Sequence, residues 1–583
     1  MSGHSVRRSE SLLTITMLML ALCVGAPAHA QVSSAELRKL RASVEAGTAD
    51  GAQHGDLARY RAALLRIYAD TTSPLLWIAQ GRPRAQASAM VAELSDAAMR
   101  GLDPADYDAD RLATRLHDLR AASPVRDGDS LLLRADAWLT LSAMRYIDHA
   151  RAGRVDPAPL GFVIPTKSAP RDFAAILPSL SRVPDVRASI DSLEPPYDRF
   201  RALEKLLHRY RTLSADSSLG DLPDLASPLH PQDRWEGTSA LRRLLAALGD
   251  TSIREVSAAS SDTDLYTPGL VENVKHFQAS RGLSNDGVIG KATLRQLRTS
   301  IVTRIAQIEL TMERWRWLPD PAASRLLVVN IPEFRLYALE RNANRVLARE
   351  RMDVIVGSAF NGRRTPVLAS SVRAVVFHPY WDVPLSIARR EEIPKIRRDS
   401  SYAAREGMEI VRGIDAAAVR FPITPVNLQR VLDGTLRLRQ RPGPRNALGN
   451  VKFVFPNAYN VYLHDTPLQS LFTHERRDFS HGCIRASDPE GLAAFVLADE
   501  EGWEREHIEA SIANPELRTV TLKHPVPIFV VYATVIANPD GTSSFLPDLY
   551  GHDAALARAL AARATSLAGM GSSVSIAHPS TIP

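Results

Sequence analysis

Apolar residues recur at helical spacing through the first third of the chain. Leu132, Ala135, Leu139, Ala143 and Tyr146 step by three or four. The Ala-, Leu- and Arg-rich stretch from 31 to about 225 keeps that period. Gly101-Leu102-Asp103-Pro104 and Gly153-Arg154-Val155-Asp156-Pro157 punctuate it as turns. The pattern predicts a helical scaffold domain over 31–230, whose scattered Asp and His residues read as solvated helix faces. Pro228 to Gly237 reads as a linker. A small helical module is expected over 231–300. Leu241, Leu244, Leu245 and Leu248 form one stripe stopped by Gly249, and Leu270, Val274 and Phe277 form a second. Asp286-Gly287-Val288-Ile289-Gly290 is a tight turn. A long third stripe, Leu294, Leu297, Ile301, Ile305, Ile308 and Met312, leads into a connecting helix over 301–323.

From Arg325 the period changes to that of strands. Leu326–Ile331, Phe334–Leu339, Arg351–Val356, Val372–Phe377, Val451–Phe455 and Tyr459–Leu463 are β-type runs. They predict a mostly β domain over 324–523, interrupted at about 395–445 by an Arg-rich, Pro-punctuated insert lying over the site as a lid. Asp488-Pro489 starts a helix, since Asp can cap and Pro is tolerated at the first helical position. Residues 524–566 are expected to pack on the scaffold and 567–583 to form a disordered tail. The fold class is therefore multidomain α+β.

Composition narrows this only modestly. The chain has 583 residues, 45% hydrophobic and 23% charged, which excludes a wholly disordered, collagen-like or polytopic membrane protein. A net charge of +6 without a dense basic block argues against nucleic acid as partner. The N-terminus changes the picture more. Arg7-Arg8, a 13-residue apolar stretch from Leu12 to Val24, and Ala28-His29-Ala30 read as a secretory signal peptide over 1–30. An uncleaved anchor is the alternative. No later segment is apolar enough to span a bilayer.

Compartment gives the cysteines their meaning. Of two, Cys23 leaves with the signal peptide and Cys483 remains without an intramolecular partner. Around it stand Tyr462-Leu463-His464-Asp465-Thr466 and Phe479-Ser480-His481-Gly482-Cys483-Ile484-Arg485. A thiol is a weak nucleophile until ionised. An imidazole such as His464 and a charge such as Arg485 are expected to lower its pKa and yield a thiolate–imidazolium pair. Amides at Gly482 and Cys483 could hold an oxyanion. Two readings compete: a metal site drawn from His464, Asp465, His474, His481 and Cys483, and an inert buried thiol.

Ser480-His481-Gly482-Cys483-Ile484-Arg485, with His464 nineteen positions before the cysteine, resembles the signature of the YkuD-type L,D-transpeptidases. Asn330–Leu336, Thr365-Pro366, Pro379–Pro384, Pro442-Gly443-Pro444, Leu448-Gly449 and Lys452-Phe453 agree with the large periplasmic members of that family. The segment 237–300 resembles a peptidoglycan-binding module. The resemblance implies a periplasmic enzyme without cofactor or metal, acting on peptidoglycan stem peptides as donor and acceptor. Cys483 would be the nucleophile and His464 its base, with the Asp465 carbonyl orienting the imidazole. Ser480, His481 and Gly482 would support the oxyanion hole. Arg485 would order the loop or bind a substrate carboxylate, and Tyr380 and Trp381 would line the cleft. The product is a 3→3 cross-link. An L,D-carboxypeptidase using water, or a non-catalytic wall-binding scaffold, are the other functions left open. Protein partners are not legible.

Overall fold

The helix Ser130–Ala152 organises the N-terminal region. Leu132, Leu139, Ala143 and Tyr146 are fully buried on it, as the stepped pattern predicts. So are Asp136 and Arg145. Helices pack around most of it, so Asp136 and Arg145 have no access to solvent and must be satisfied internally. Asp136 accepts from Tyr68 Oη at 2.5 Å and from the Leu76 and Trp77 amides at 3.0 and 2.7 Å. Arg145 clamps Asp56 at 2.6 and 2.8 Å. Asp148 and His149 are buried as well. The expectation of solvated Asp and His on this helix is thereby corrected. This computed structural model describes residues 33–69, 75–121, 130–165, 171–217, 219, 221–249, 263–320, 323–342, 345–414 and 417–571. The signal-peptide reading falls outside them.

The N-terminal core ends near Ile190. The next helix, Asp198–Leu213, already shares a core with the module and the β domain. The expected scaffold of 31–230 is thus divided between two cores. Residues 228–237 are no linker, because Leu229 bridges Ile289 and Arg234 bridges Leu265 within the module. The module's helices are Thr238–Leu248, Pro268–Ser280 and Lys291–Leu297. Gln278 fixes the 286–290 turn by donating to Asp286 Oδ1 and the Val288 carbonyl and accepting from the Gly287 amide. The long third stripe is broken at 298–300, where Ser300 caps a new helix, Ile301–Trp317, accepting from Thr303 N at 3.2 Å.

The β domain is a closed barrel of eight strands. They are β1 (Arg325–Asn330), β2 (Arg335–Asn342), β3 (Arg345–Ile355), β4 (Leu368–Phe377), β5 (Val451–Val454), β6 (Leu463–His464), β7 (Ile484–Ala486) and β8 (Arg518–Val531). Their order is β5-β6-β7-β3-β2-β1-β8-β4, closing back on β5. The run 459–463 shrinks to a two-residue strand because Asn457 folds 455–461 into a turn. Its amide donates to the Phe455 and Val461 carbonyls, and its oxygen accepts from the Tyr459 and Val461 amides. Strand β8 crosses the expected boundary at 523. Pro525 and Pro527 lie at or beside its register shift between Thr521 and Val526, where a missing donor is tolerated.

Between β4 and β5 the insert builds a four-stranded sheet over residues 381–440, with its own core of Val383, Ile393, Ile396, Met408, Ile410, Leu428 and Leu438. It begins earlier than the expected 395, with strand Trp381–Asp382. After the barrel, strands Val535–Ala537 and Ser543–Phe545 pack toward helices Asp198–Leu213 and Ile301–Trp317. The helix His552–Gly571 reaches the scaffold, where Arg563 meets Asp106 at 2.7 Å. Residues 567–571 are therefore helical rather than tail.

Candidate active site

Three short strands place the chemistry on the outer barrel face beneath the insert. Lys452 on β5 pairs with His464 on β6, and His464 pairs with Arg485 on β7. Leu463 and Ile484 point inward and are fully buried. Strand alternation therefore turns Tyr462, His464, Cys483 and Arg485 outward together. The Ile484 amide donates to the Tyr462 carbonyl at 3.0 Å, which sets Cys483 beside Tyr462. Cys483 is thus the diagonal neighbour of His464, a Cβ separation of roughly 7 Å by sheet geometry. Both line one cavity of about 1230 Å³ walled by barrel and insert.

Each side chain has a defined support. His464 Nδ1 meets the Asp465 carbonyl oxygen at 2.5 Å, so Nδ1 carries the hydrogen and Nε2 is the basic nitrogen. The Asp465 carboxylate faces elsewhere, accepting from the Asn450 and Thr466 amides at 2.8 and 2.6 Å. Gly449, at φ +60°, leaves room for it; a Cβ there would stand 2.2 Å from Asp465 Oδ2. The Tyr462 ring packs edge-on to His464 at 5.7 Å, and Lys452 Nζ sits 3.9 Å from the Tyr462 ring centre.

The loop that carries Cys483 is pinned from both sides. Ser480 exchanges main-chain bonds with Val356 and Ser358 at 2.9 Å. Its hydroxyl donates to the Cys483 carbonyl at 2.5 Å and accepts from the Gly482 amide at 3.1 Å. The Gly482 amide is therefore engaged and not open to an oxyanion. Gly482 stands at φ +120°, a conformation that disfavours any side chain. Thr365 Oγ1 donates to the Gly482 carbonyl and accepts from the Gly357 amide, both at 2.8 Å. Tyr550, from the C-terminal segment, donates to the Gly357 carbonyl and accepts from the Thr365 amide.

His481 turns away from the thiol. Its Nε2 meets Glu391 Oε1 of the insert at 2.6 Å, and Glu391 also pairs with Arg363 at 2.7 Å. It bridges barrel and insert rather than shaping an oxyanion hole. Trp381 lines the cavity, whereas Tyr380 stacks under the buried Arg439 guanidinium at 4.1 Å. His474 packs against Phe479. Among the described residues no three His, Cys, Asp or Glu gather as a cation site.

Burial governs the protonation states. It pushes His464 down to about 3, helped by Arg485 and Lys452, against the Asp465 carbonyl. It pushes the half-buried Cys483 thiol up, although Tyr462, Lys452 and Arg485 pull it down. Burial thus disfavours the charged form of each group and opposes the ion pair that the residue types suggest.

With that geometry fixed, comparison with known proteins becomes informative. Residues 324–528 match the YkuD family, the L,D-transpeptidase catalytic domain. Within that matched segment fall His464, Cys483 and the whole insert. Residues 236–297 match a family described as "Putative peptidoglycan binding domain", and 62–207 match a scaffold domain. A Haemophilus influenzae protein named "Putative L,D-transpeptidase" is 29% identical over 299 residues, 48% of this chain and 56% of that one. The chain thus spans about half the length of this curated relative. A solved structure of Bdellovibrio bacteriovorus Bd1075 aligns at 10% identity with a TM-score of 0.15, covering 41% of this chain and 56% of that one, too slight to bear on the fold.

Tyr462, Lys452, Thr365, Glu391 and Tyr550 were not singled out from sequence as site residues. Tyr462 carried a signal, since it precedes His464 by two on a strand and so shares its face. Lys452 depends on cross-strand register, and Glu391 and Tyr550 on tertiary contacts, none of which leaves a local trace.

Proposed function

We propose that the protein is a cysteine-dependent L,D-transpeptidase of the cell wall. The observation that carries this reading is the thiol of Cys483 and the Nε2-basic imidazole of His464 on one face of adjacent strands, inside a cavity large enough for peptide stems. His464 Nε2 takes the thiol proton as Sγ attacks the carbonyl of the third stem residue. The resulting oxyanion falls to the Cys483 amide and cavity donors. The carbon–nitrogen bond to the terminal D-Ala breaks, the leaving amine receives the proton from the imidazolium, and a thioester remains. The side-chain amine of a second stem gives its proton to His464 and attacks the thioester. The carbon–sulfur bond breaks, the thiolate is reprotonated, and a 3→3 cross-link results.

Arg485 faces the cavity as a ligand for a substrate carboxylate. The module over 236–297 holds the enzyme on the wall. The N-terminal segment directs secretion to the periplasm, where the substrate lies. Mass spectrometry of intact protein with a tetrapeptide donor or a carbapenem tests the reading. The adduct should form on the wild type and vanish in Cys483→Ala; an adduct that persists removes Cys483 from the mechanism. Muropeptide analysis separates transfer from hydrolysis, since tripeptides without 3→3 dimers would mark a carboxypeptidase.

A further inference from the structure

We propose that Lys452 and Arg485 form a two-cation clamp on the C-terminal carboxylate of the leaving residue, so that the enzyme accepts only donor stems ending one residue beyond the scissile bond. The inference rests on Cys483 as the acylating nucleophile.

Register supplies the geometry. Lys452, His464 and Arg485 form one rung across β5, β6 and β7, with the imidazole between the two cations. Side chains in directly opposed positions stand roughly 4.5–5.5 Å apart at Cβ. Once Cys483 has attacked, the leaving nitrogen must lie at the His464 ring to collect its proton. In a terminal amino acid the carboxylate carbon is only about 2.5 Å from that nitrogen. A carboxylate at that distance from the central member of the rung is brought to the flanking cations. A donor carrying a further residue puts an amide there instead.

Charge accounting points the same way. Arg485 Nε is buried with no hydrogen-bond partner. Lys452 is held over the Tyr462 ring, and the acidic groups acting on it are Cys483 and then Asp382 of the insert, without an ion pair among the described residues. Two half-buried cations that form no ion pair with a carboxylate among the described residues carry an unrepaid desolvation cost. An anionic ligand repays it.

The test uses the full secreted chain and single-turnover thioester formation with three donors: a tetrapeptide, its C-terminal amide, and a stem one residue longer. The wild type should acylate from the free acid about 10- to 100-fold faster than from the amide or the longer stem, the scale of a lost charge-assisted bond. Lys452→Gln should bring that ratio toward one by slowing the acid more than the amide, and Lys452→Arg should restore it. Equal rates for acid and amide in the wild type, or a Lys452→Gln variant slowed equally on both, would overturn the clamp. Alkylation of Cys483 by iodoacetate and iodoacetamide gives a second readout. Lys452→Gln should lower the anionic rate against the neutral one, and an unchanged ratio counts against the clamp. If no donor acylates Cys483, the catalytic reading fails by itself, and the alkylation ratio still decides the clamp.

Discussion

Replacing Thr365 by valine removes one hydroxyl and keeps the side-chain volume. That hydroxyl is buried, with the residue 1% exposed, and makes two bonds of 2.8 Å, one from the Gly357 amide and one to the Gly482 carbonyl. Valine leaves both main-chain groups buried without that partner, at ~1–3 kcal/mol each, hence ~2–6 kcal/mol of stability. Thr365→Ser keeps both bonds and loses a methyl group, at ~1 kcal/mol. The kinetic effect should differ in kind from the loss of stability. The Gly482 carbonyl is the last anchor before the thiol, so valine should slow acylation of the folded protein about 10- to 100-fold, equivalent to ~1.4–2.8 kcal/mol in the barrier. Urea unfolding at constant m measures the first quantity, and single-turnover adduct formation with a carbapenem the second. A valine variant within ~0.5 kcal/mol of wild type that acylates at the wild-type rate would refute the claim that Thr365 fixes the nucleophile loop.

The burial of thiol and imidazole has a spectroscopic consequence. Thiolate absorbance attributable to Cys483, by difference from Cys483→Ala, should be absent at neutral pH and appear only in alkali, because burial shifts the thiol upward; a thiolate already present in mild acid would refute neutrality. Acid stability follows from the imidazole. The unfolded state binds a proton near 6.5 while folded His464 does so only at about 3, so stability is complete above 6.5 and is lost as pH falls toward 3. Partly buried carboxylates such as Glu204, raised to about 7, act in the opposite sense. The measurement is therefore differential: His464→Gln should remove a slope of ~1.4 kcal/mol per pH unit from unfolding free energy below 6.5, and an unchanged slope would mean that the ring is not buried neutral. Gly449→Ala should destabilise by ~1–3 kcal/mol, because its Cβ would collide with the Asp465 carboxylate; a wild-type melting temperature would contradict the packing of that loop.

The candidate site was legible to the extent that its chemistry is local. The run Ser480–Arg485, and His464 at the end of an apolar strand, mark a thiol–imidazole site without any knowledge of the barrel. Alternation alone would have added Tyr462. What escaped has non-local causes. The thiol's upward shift follows from burial among residues of neighbouring strands, which no single segment encodes. His481 looked like part of the oxyanion machinery because it adjoins Gly482, yet its ring is taken by Glu391, ninety residues earlier in sequence. The helix Ser130–Ala152 was read correctly as a helix and wrongly as half-solvated, because a stripe of apolar residues does not reveal how many neighbours surround it. Strand β8 was missed where Pro525 and Pro527 broke the alternation, since a register shift absorbs them only in three dimensions.

The upward-shifted sulfur also bears on how long such a protein lasts. Peroxides and foreign disulfides attack the anion, not the protonated form. On the proposed reading, a thiol held toward its protonated form between turnovers offers oxidants little to react with. Burial that favours the protonated form of Cys483 thus doubles as chemical armour for the thiol.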